Sequence, residues 1–463
     1  MNRGLALIGL PLTLAGCVVG PNYGPPSVPV ASAWRSAPNS QATTDPRWWR
    51  SFDDRVLDTL EDEMLIANLS IEQALARVDQ SRARVGGADA ALRPSADASA
   101  SVARSEQSLD AGLGQLSRYV PDFPRGVTNA QAGLGASWDL DFAGGLKRAR
   151  EGAIADARAA EAGAAAARLA VAADLADAYI LYRGGRAQRA SLRILVGFLS
   201  EQRAIMATRV RLGVAPRAAL DQSDATVAAL MASLPPIETL IADQHNRIAI
   251  LLGRSPSHPL PELDDGDAIP NAPDPAAGIP VGILHNRPDL VVAEQQLIAS
   301  NAAIGQAMAQ YYPSLSLSAL LGVDANRLGS LVTGNALTAQ GAFGLRWRLF
   351  DFGRIDADVR AARGGVREHL AAYREAVLRA TAEVETGFVQ LANARQRLAD
   401  LRVRRGAIAA ALTAEGAGER LGTRSRDALI DRQRELVFAD LDITAARVEV
   451  ARAIVACRRA LGG

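Results

Sequence analysis

The chain has 463 residues, a formal net charge of +1, and 49% hydrophobic but only 5% aromatic residues. Near-neutrality and the lack of a long Lys/Arg block give no footing for a nucleic-acid partner. Length alone would allow about three domains, yet few aromatic and many small residues suit thin, closely packed helices better than compact globules.

Residues 1–16 read as a signal peptide. Arg3 supplies the positive start, and Leu5 to Leu14 is an apolar run too short to span a bilayer. Leu14-Ala15-Gly16-Cys17 has the form of a bacterial lipobox. Cys17 is therefore expected to become a lipid-modified N-terminus, anchored by acyl methylenes in the membrane. Val18, rather than Asp, favours the outer membrane. Cys457 is then left without a disulfide partner and reads as a small packing residue.

Residues 17–53 predict an extended, proline-rich tether, pinned to the body by Trp48-Trp49-Arg50-Ser51-Phe52. Helix is expected from about Asp54, with a break at Asn68. Ser70 and Gln73 form a capping box that starts a second helix, stopped by Pro94. Residues 95–105 then alternate, with Ala96, Ala98, Ala100 and Val102 on one face. Alternation returns over 131–142, with Leu134, Trp138 and Phe142 against Gln131, Ser137 and Asp141. Period two over about ten residues is a strand wet on one side, and it is the length of a tilted bilayer-spanning strand. Trp138 and Phe142 sit toward one end, where an aromatic girdle meets the membrane interface. On these residues alone a soluble hairpin stays equally open.

Residues 144–212 contain no proline and predict one helix ~100 Å long at 1.5 Å per residue. Leu192, Leu195, Leu199, Met206 and Val210 have coiled-coil-like spacing. Gly213 ends it, and Pro216 suits the first turn of a returning helix, which Pro235-Pro236 interrupts before Gly253. Residues 254–288 are a Pro/Asp/Gly-rich linker. The programme then repeats over 289–463: a helix from Pro288-Asp289, strands over 314–323 and 340–350, a long helix over 354–421, and a last helix to about Leu461. Trp347 and Phe350 occupy the girdle positions.

The two halves, 54–253 and 289–463, are an internal duplication. Trp347 follows Trp138 at 347 − 138 = 209, and Gly353/Gly144, Gly422/Gly213, Phe388/Tyr179 and Glu383/Asp174 keep that offset. Repeats of this kind decide the architecture before any local reading. Four strands are too few to close a barrel around a lumen, and an open edge in lipid leaves backbone groups unsatisfied. The chain is therefore expected to oligomerise; three copies would supply twelve strands, although physics alone does not set the number.

Several motifs, in order, carry a resemblance to the TolC-like outer-membrane efflux family, in its NodT/OprM-type lipoprotein branch. They are Cys17-Val-Val-Gly-Pro-Asn-Tyr23, Leu284-His-Asn-Arg-Pro-Asp-Leu290, Ala293-Glu294, Tyr312-Pro-Ser-Leu315, Leu349-Phe-Asp-Phe-Gly-Arg354, and the turns Arg211-Leu212-Gly213 and Arg420-Leu421-Gly422. The resemblance implies an α+β membrane protein. It would be mostly long helices forming a periplasmic α-barrel, plus four transmembrane strands per protomer in a twelve-stranded homotrimeric barrel. It implies a passive conduit for small molecules, set in outer-membrane lipid. The helix-tip turns would contact a periplasmic adaptor and, through it, an inner-membrane RND pump. It also places a channel constriction at Asp431, with Arg424 and Asp427; Asp427 departs from the often apolar residue of drug-efflux members. Asp427 and Asp431 share one helix face, and copies around an axis would form a cation-attracting ring. Neutralisation by Arg424, Arg426 and Arg434 is the competing expectation.

No catalytic constellation, cofactor loop or metal pattern is present. His245, His258, His285 and His369 are scattered, no CxxC or HExxH occurs, and Gly416-Ala-Gly418 lacks the preceding strand of a dinucleotide loop. The alternatives are a duct for type I protein secretion or metal efflux, and a lipid-anchored coiled-coil scaffold with no pore.

Overall fold

A computed structural model describes residues 18–27, 31–36, 45–110, 112–265, 268–280, 282 and 286–463. Cys17 and His285 lie outside the described residues. The elements are α1 (Arg55–Ala67), α2 (Leu69–Ala91), β1 (Ser95–Glu106), β2 (Gly126–Asp139), α3 (Gly145–Arg211), α4 (Arg217–Met231), α5 (Leu234–Leu251), α6 (Pro288–Ala309), β3 (Ser314–Ala325), β4 (Leu337–Arg346), α7 (Arg354–Arg420) and α8 (Arg426–Leu461). The chain divides into two compact units. The first comprises 1–26, 79–159 and 294–372; the second comprises 27–78, 160–293 and 373–463. Each unit draws on both halves of the duplication, so the repeats are not separate bodies.

The first unit holds the sheet, in the order β1-β2-β3-β4, antiparallel throughout. Its register puts Ala98, Leu134, Leu321 and Ala339 in one row, and Trp138, Leu317 and Phe343 in another. Directly paired residues share a face, so these rows form a continuous apolar surface. The opposite face carries Asp97, Gly135, Leu320 and Gln340 in one row and Ser99, Gly133, Gly322 and Thr338 in the next.

Two strands are shifted from their expected bounds. β2 covers Gly126–Asp139 and β4 covers Leu337–Arg346, each starting and ending earlier than the alternation suggested. The reason is local. Asp141 leaves the strand with φ 44°, and its carboxylate accepts from the Leu146 and Lys147 amides at 2.8 and 2.9 Å, capping α3. Asp351 does the same for α7, accepting from Gly353 and Ile355 at 3.0 and 2.9 Å. An aspartate at a helix start satisfies otherwise orphaned amides, and the chain must turn out of the sheet to present it.

The second unit holds the main apolar core. Trp48, Trp49, Phe52, Leu57, Leu60, Met64, Leu175, Tyr179, Ile180, Ile248 and Ile454 are all buried in one cluster. Fully burying such a side chain is worth about 1.5–3 kcal/mol, so the Trp48–Phe52 turn is a strong pin. The tether is also held upstream. Trp34 is buried and donates from Nε1 to the Ala277 carbonyl at 3.0 Å, and the Glu385 carboxylate accepts from the Arg35 and Ser36 amides at 2.7 and 2.9 Å.

The expected capping box does not start α2. Asn68 caps it instead, its Oδ1 accepting from Ser70 and Ile71 at 2.9 and 3.1 Å while its Nδ2 donates to the Leu251 carbonyl at 2.7 Å. Asn68 thus serves two helices, which a buried side chain with both donors and an acceptor can do. Cys457 is buried and free, with its sulfur against Gly387; burial pushes its thiol up to about 12, so it is unreactive packing.

Candidate functional site: an apolar sheet face and paired helix tips

In the first unit, the sheet's apolar face is open. Leu134 is 61% and Phe343 63% exposed, and an apolar area of this extent on a folded surface marks a membrane or a partner. Trp138 and Trp347 each donate from Nε1 to a backbone carbonyl, of Leu92 and Tyr311, both at 3.0 Å. The duplication has kept this bond. Of the four girdle aromatics, Phe142, Trp347 and Phe350 lie past the strand ends rather than within them. All three are exposed. Phe352, fully exposed with φ 54°, joins them and was not foreseen, although it stands beside Phe350 in the same motif.

In the second unit, the two long helices, each 67 residues, end in matching turns. Gly213 and Gly422 take φ 75° and 72°, a left-handed conformation that glycine adopts without Cβ strain. Leu212 and Leu421 are exposed beside them, as are Arg211 and Arg420. Ser425 caps α8 by accepting from the Ala428 amide at 3.2 Å, and Asp427 sits in the first turn, where a negative charge is favoured.

Asp427, Asp431 and Arg424 do not converge on one another. Arg209 of α3 pairs with Asp427 at 2.5 Å. Asp431 takes Arg434 at 3.1 Å and Gln202 Nε2 at 3.3 Å. Arg424 turns to Glu415 at 3.4 Å, and Arg426 holds Glu201 at 2.8 Å. Both tip acids are thus neutralised within the protomer. Glu201, Gln202 and Arg209 join α3 to α8, and sequence reasoning missed them. No spacing rule links Arg209 to Asp427 across 427 − 209 = 218 positions.

Arg287, from the Arg-Pro-Asp motif, is a buried clamp of the second unit. It donates to both Asp289 oxygens at 3.0 and 2.8 Å, to Glu383 at 2.7 Å and to the Ala460 carbonyl at 2.7 Å. It ties the linker's end to α7 and α8. Among the described residues no group of three or more His, Cys, Asp or Glu could hold a metal.

An open four-stranded sheet with one apolar face, carried by a chain of very long helices, defines an outer-membrane channel protein rather than an enzyme. The chain belongs to the outer membrane efflux protein family, which it matches over residues 60–254 and 279–463. It is 30% identical to the pyoverdine export outer membrane protein OpmQ of Pseudomonas putida over 472 aligned positions, covering 100% of this chain and 98% of that one. It is 29% identical to nodulation protein T of Rhizobium leguminosarum bv. trifolii, covering 82% and 80% respectively. Its fold matches the solved outer-membrane channel OprN with a TM-score of 0.84 and 29% identity, covering 96% of this chain and 99% of that one. The protein is an outer-membrane efflux channel of a Gram-negative bacterium.

Proposed function

We propose that the chain works as a homotrimeric, passive conduit, anchored by lipid on Cys17, that receives small molecules from an RND pump through a periplasmic adaptor. The single observation that supports the trimeric barrel is the open sheet. β1 and β4 each have one strand partner, so each presents a free edge beside an apolar face. In hydrocarbon every unsatisfied backbone group costs several kcal/mol, and pairing β4 of one copy with β1 of the next removes both edges. The stretch Arg217–Leu251 adds support: its most apolar window of 18 residues has mean hydropathy 1.5, yet 6% of that window is buried, and a neighbouring copy would cover it.

On this reading, residues 1–16 are removed, 17–53 form the lipidated tether, and 54–253 and 289–463 are the two wall segments joined by 254–288. The exposed turns Arg211-Leu212-Gly213 and Arg420-Leu421-Gly422 meet the adaptor, while Asp427, Asp431 and Arg424 line the constriction. Trp138, Phe142, Trp347 and Phe350 lie at the membrane interface. The export role in the name of the related OpmQ supports a small organic cargo.

The test is native mass spectrometry of the detergent-extracted protein, followed by planar-bilayer recording. A heat-modifiable trimer that conducts supports the reading. A monomer without conductance overturns it. Mass analysis of the N-terminal peptide reads the acyl group on Cys17 separately.

A further inference from the structure

Within the first unit, the two ends of the sheet's apolar face differ. At the end where α3 and α7 leave, the face is bounded by Trp138 and Trp347. On β1, β2 and β3, every position of this face from the row after Trp138 to the Val102–Ala130–Ala325 row is Ala, Val or Leu. The next row, beside the loops 107–125 and 326–336, carries charge. Arg104 pairs with Thr128. The β2–β3 register, whose last pair is Ala130 with Ala325, sets Thr128 opposite Arg327 when carried on by two residues. Arg327 is still extended, at φ −144° and ψ 136°, so the alternation reaches it. Paired residues share a face, and the row reads Arg–Thr–Arg across three strands, with the two arginine backbones about 10 Å apart.

Height and charge both single out this row. Thr128 lies ten residues from Trp138 along β2, about 34 Å of antiparallel strand. At a barrel tilt of about 40° this is a height of about 26 Å, close to the ~25 Å apolar band of an outer-membrane barrel. With Trp138 at one interface, the Arg–Thr–Arg row stands at the other. Arg104 and Arg327 are both exposed, and among the described residues neither guanidinium has an ionic partner. The acid nearest in sequence on the same face, Glu106, is already taken by Arg125 at 3.5 Å. Asp324 lies on the polar face, opposite Gln131. A Cβ on Gly126 would stand 3.5 Å from Arg104 Nη2, so the bare glycine leaves that side of the guanidinium open.

We propose that Arg104, Thr128 and Arg327 form a binding site for the phosphorylated headgroup of a glycolipid in the outer leaflet. The proposal rests on the channel reading above, which puts the helices in the periplasm and the loop end of the sheet outside. A guanidinium presents a planar fork that matches phosphate oxygens in pairs. The Thr128 hydroxyl, between the two forks, adds a donor for a phosphate or sugar oxygen. Two cations on alternate strands suit a headgroup with two phosphates, one for each arginine; a lipid with a single phosphate engages one of them. The acyl chains of the same molecule lie along the Ala/Val/Leu rows beneath. One lipid is thus held by charge at its head and by apolar contact along its chains, on a surface that the fold leaves bare.

The experiment uses purified full-length protein in detergent, diphosphoryl lipid A as the probe, and native mass spectrometry to count bound lipid. Arg104→Gln and Arg327→Gln should each weaken binding about five-fold, and the double variant about twenty-five-fold, the size expected for an arginine beside an anionic lipid surface. Lipid A stripped of both phosphates should bind wild type as weakly as the intact lipid binds the double variant. Equal affinity of wild type and double variant for diphosphoryl lipid A overturns the site, as does undiminished binding of the stripped lipid. Phosphatidylglycerol that binds as tightly, and with the same dependence on the arginines, overturns the glycolipid assignment. Oligomer size and planar-bilayer conductance, which the substitutions should leave at wild-type values, keep the two readings apart. A conducting trimer without arginine-dependent binding sinks the lipid site alone, whereas a monomer without conductance sinks both.

Discussion

Arg209, near the end of α3, holds Asp427, in the first turn of α8, at 2.5 Å, so the two helix hairpins are tied by charge at their tips. The pair is partly exposed, and a double-mutant cycle over Arg209→Ala and Asp427→Ala should give a coupling of only about 0.2–1 kcal/mol. If these acids line the constriction as proposed, the larger effect is expected on conduction. Asp427→Ala and Asp431→Ala should raise single-channel conductance and lower cation selectivity in a planar bilayer. If both variants leave conductance and selectivity at wild-type values, these acids do not form the constriction.

Arg287→Ala removes the clamp and strands the Ala460 carbonyl, Asp289 and Glu383. Hydrogen bonds to charged groups are worth about 1.5–3 kcal/mol each when lost from a buried site, and partial exposure of the two acids reduces this to a net loss of about 2–4 kcal/mol. Burial pushes the Asp289 carboxyl up, but the Arg287 hydrogen bonds outweigh it and hold the group below the usual range. A carboxyl with a depressed folded pKa contributes stability that is present at neutral pH and lost as pH falls through that folded value. The gap in thermal stability between wild type and Arg287→Ala should therefore narrow on acidification below pH 4, as read by circular dichroism.

Glu61 is fully buried on α1 among Leu57, Leu60 and Met64, and neither carboxylate oxygen has a hydrogen-bond partner among the described residues. Burial, with the neighbouring charges of Asp62 and Asp58, pushes its pKa well above 4.5. The sign is opposite to that of Asp289. Stability is full below the unfolded pKa and declines as pH rises toward the folded value. Glu61→Leu should stabilise the protein at pH 8 by about 1–3 kcal/mol and have a smaller effect at pH 5. An equal effect at both pH values would show that Glu61 does not carry the proton.

Trp138 and Trp347 should be partly interchangeable in their consequences. Trp→Phe at either position keeps a ring at the sheet's end but loses the 3.0 Å bond to a backbone carbonyl, a cost of about 1 kcal/mol. The midpoint of thermal unfolding, read by circular dichroism, should drop in both variants and by more in the double variant.

Much of this architecture was legible in the residues. Proline-free runs bounded by glycine gave the two long helices to within one residue at each end, because helix termination there depends on local backbone chemistry. The sheet's alternation and the 209-residue offset were equally plain. Strand ends were not, because Asp141 and Asp351 cap the following helices and pull the chain out of the sheet, a competition that alternation does not register. Asn68 displaced Ser70 as the α2 cap because the carbonyl of Leu251 lies within its reach. Arg209 and Arg287 take their roles from partners distant in sequence, so only Arg287 stood out, and then as a motif without a stated task.

The pairing of β2 with β3 has a consequence for biogenesis. Ala130 meets Ala325, partners separated by 325 − 130 = 195 residues. Pairing of such high contact order forms slowly, since loop closure precedes any reward, and the β1–β2 hairpin alone is marginal in water. The first half emerging from the secretion machinery therefore has no sheet to join. It must be kept from aggregating until the second half arrives, which makes the interval of export the chain's most vulnerable moment.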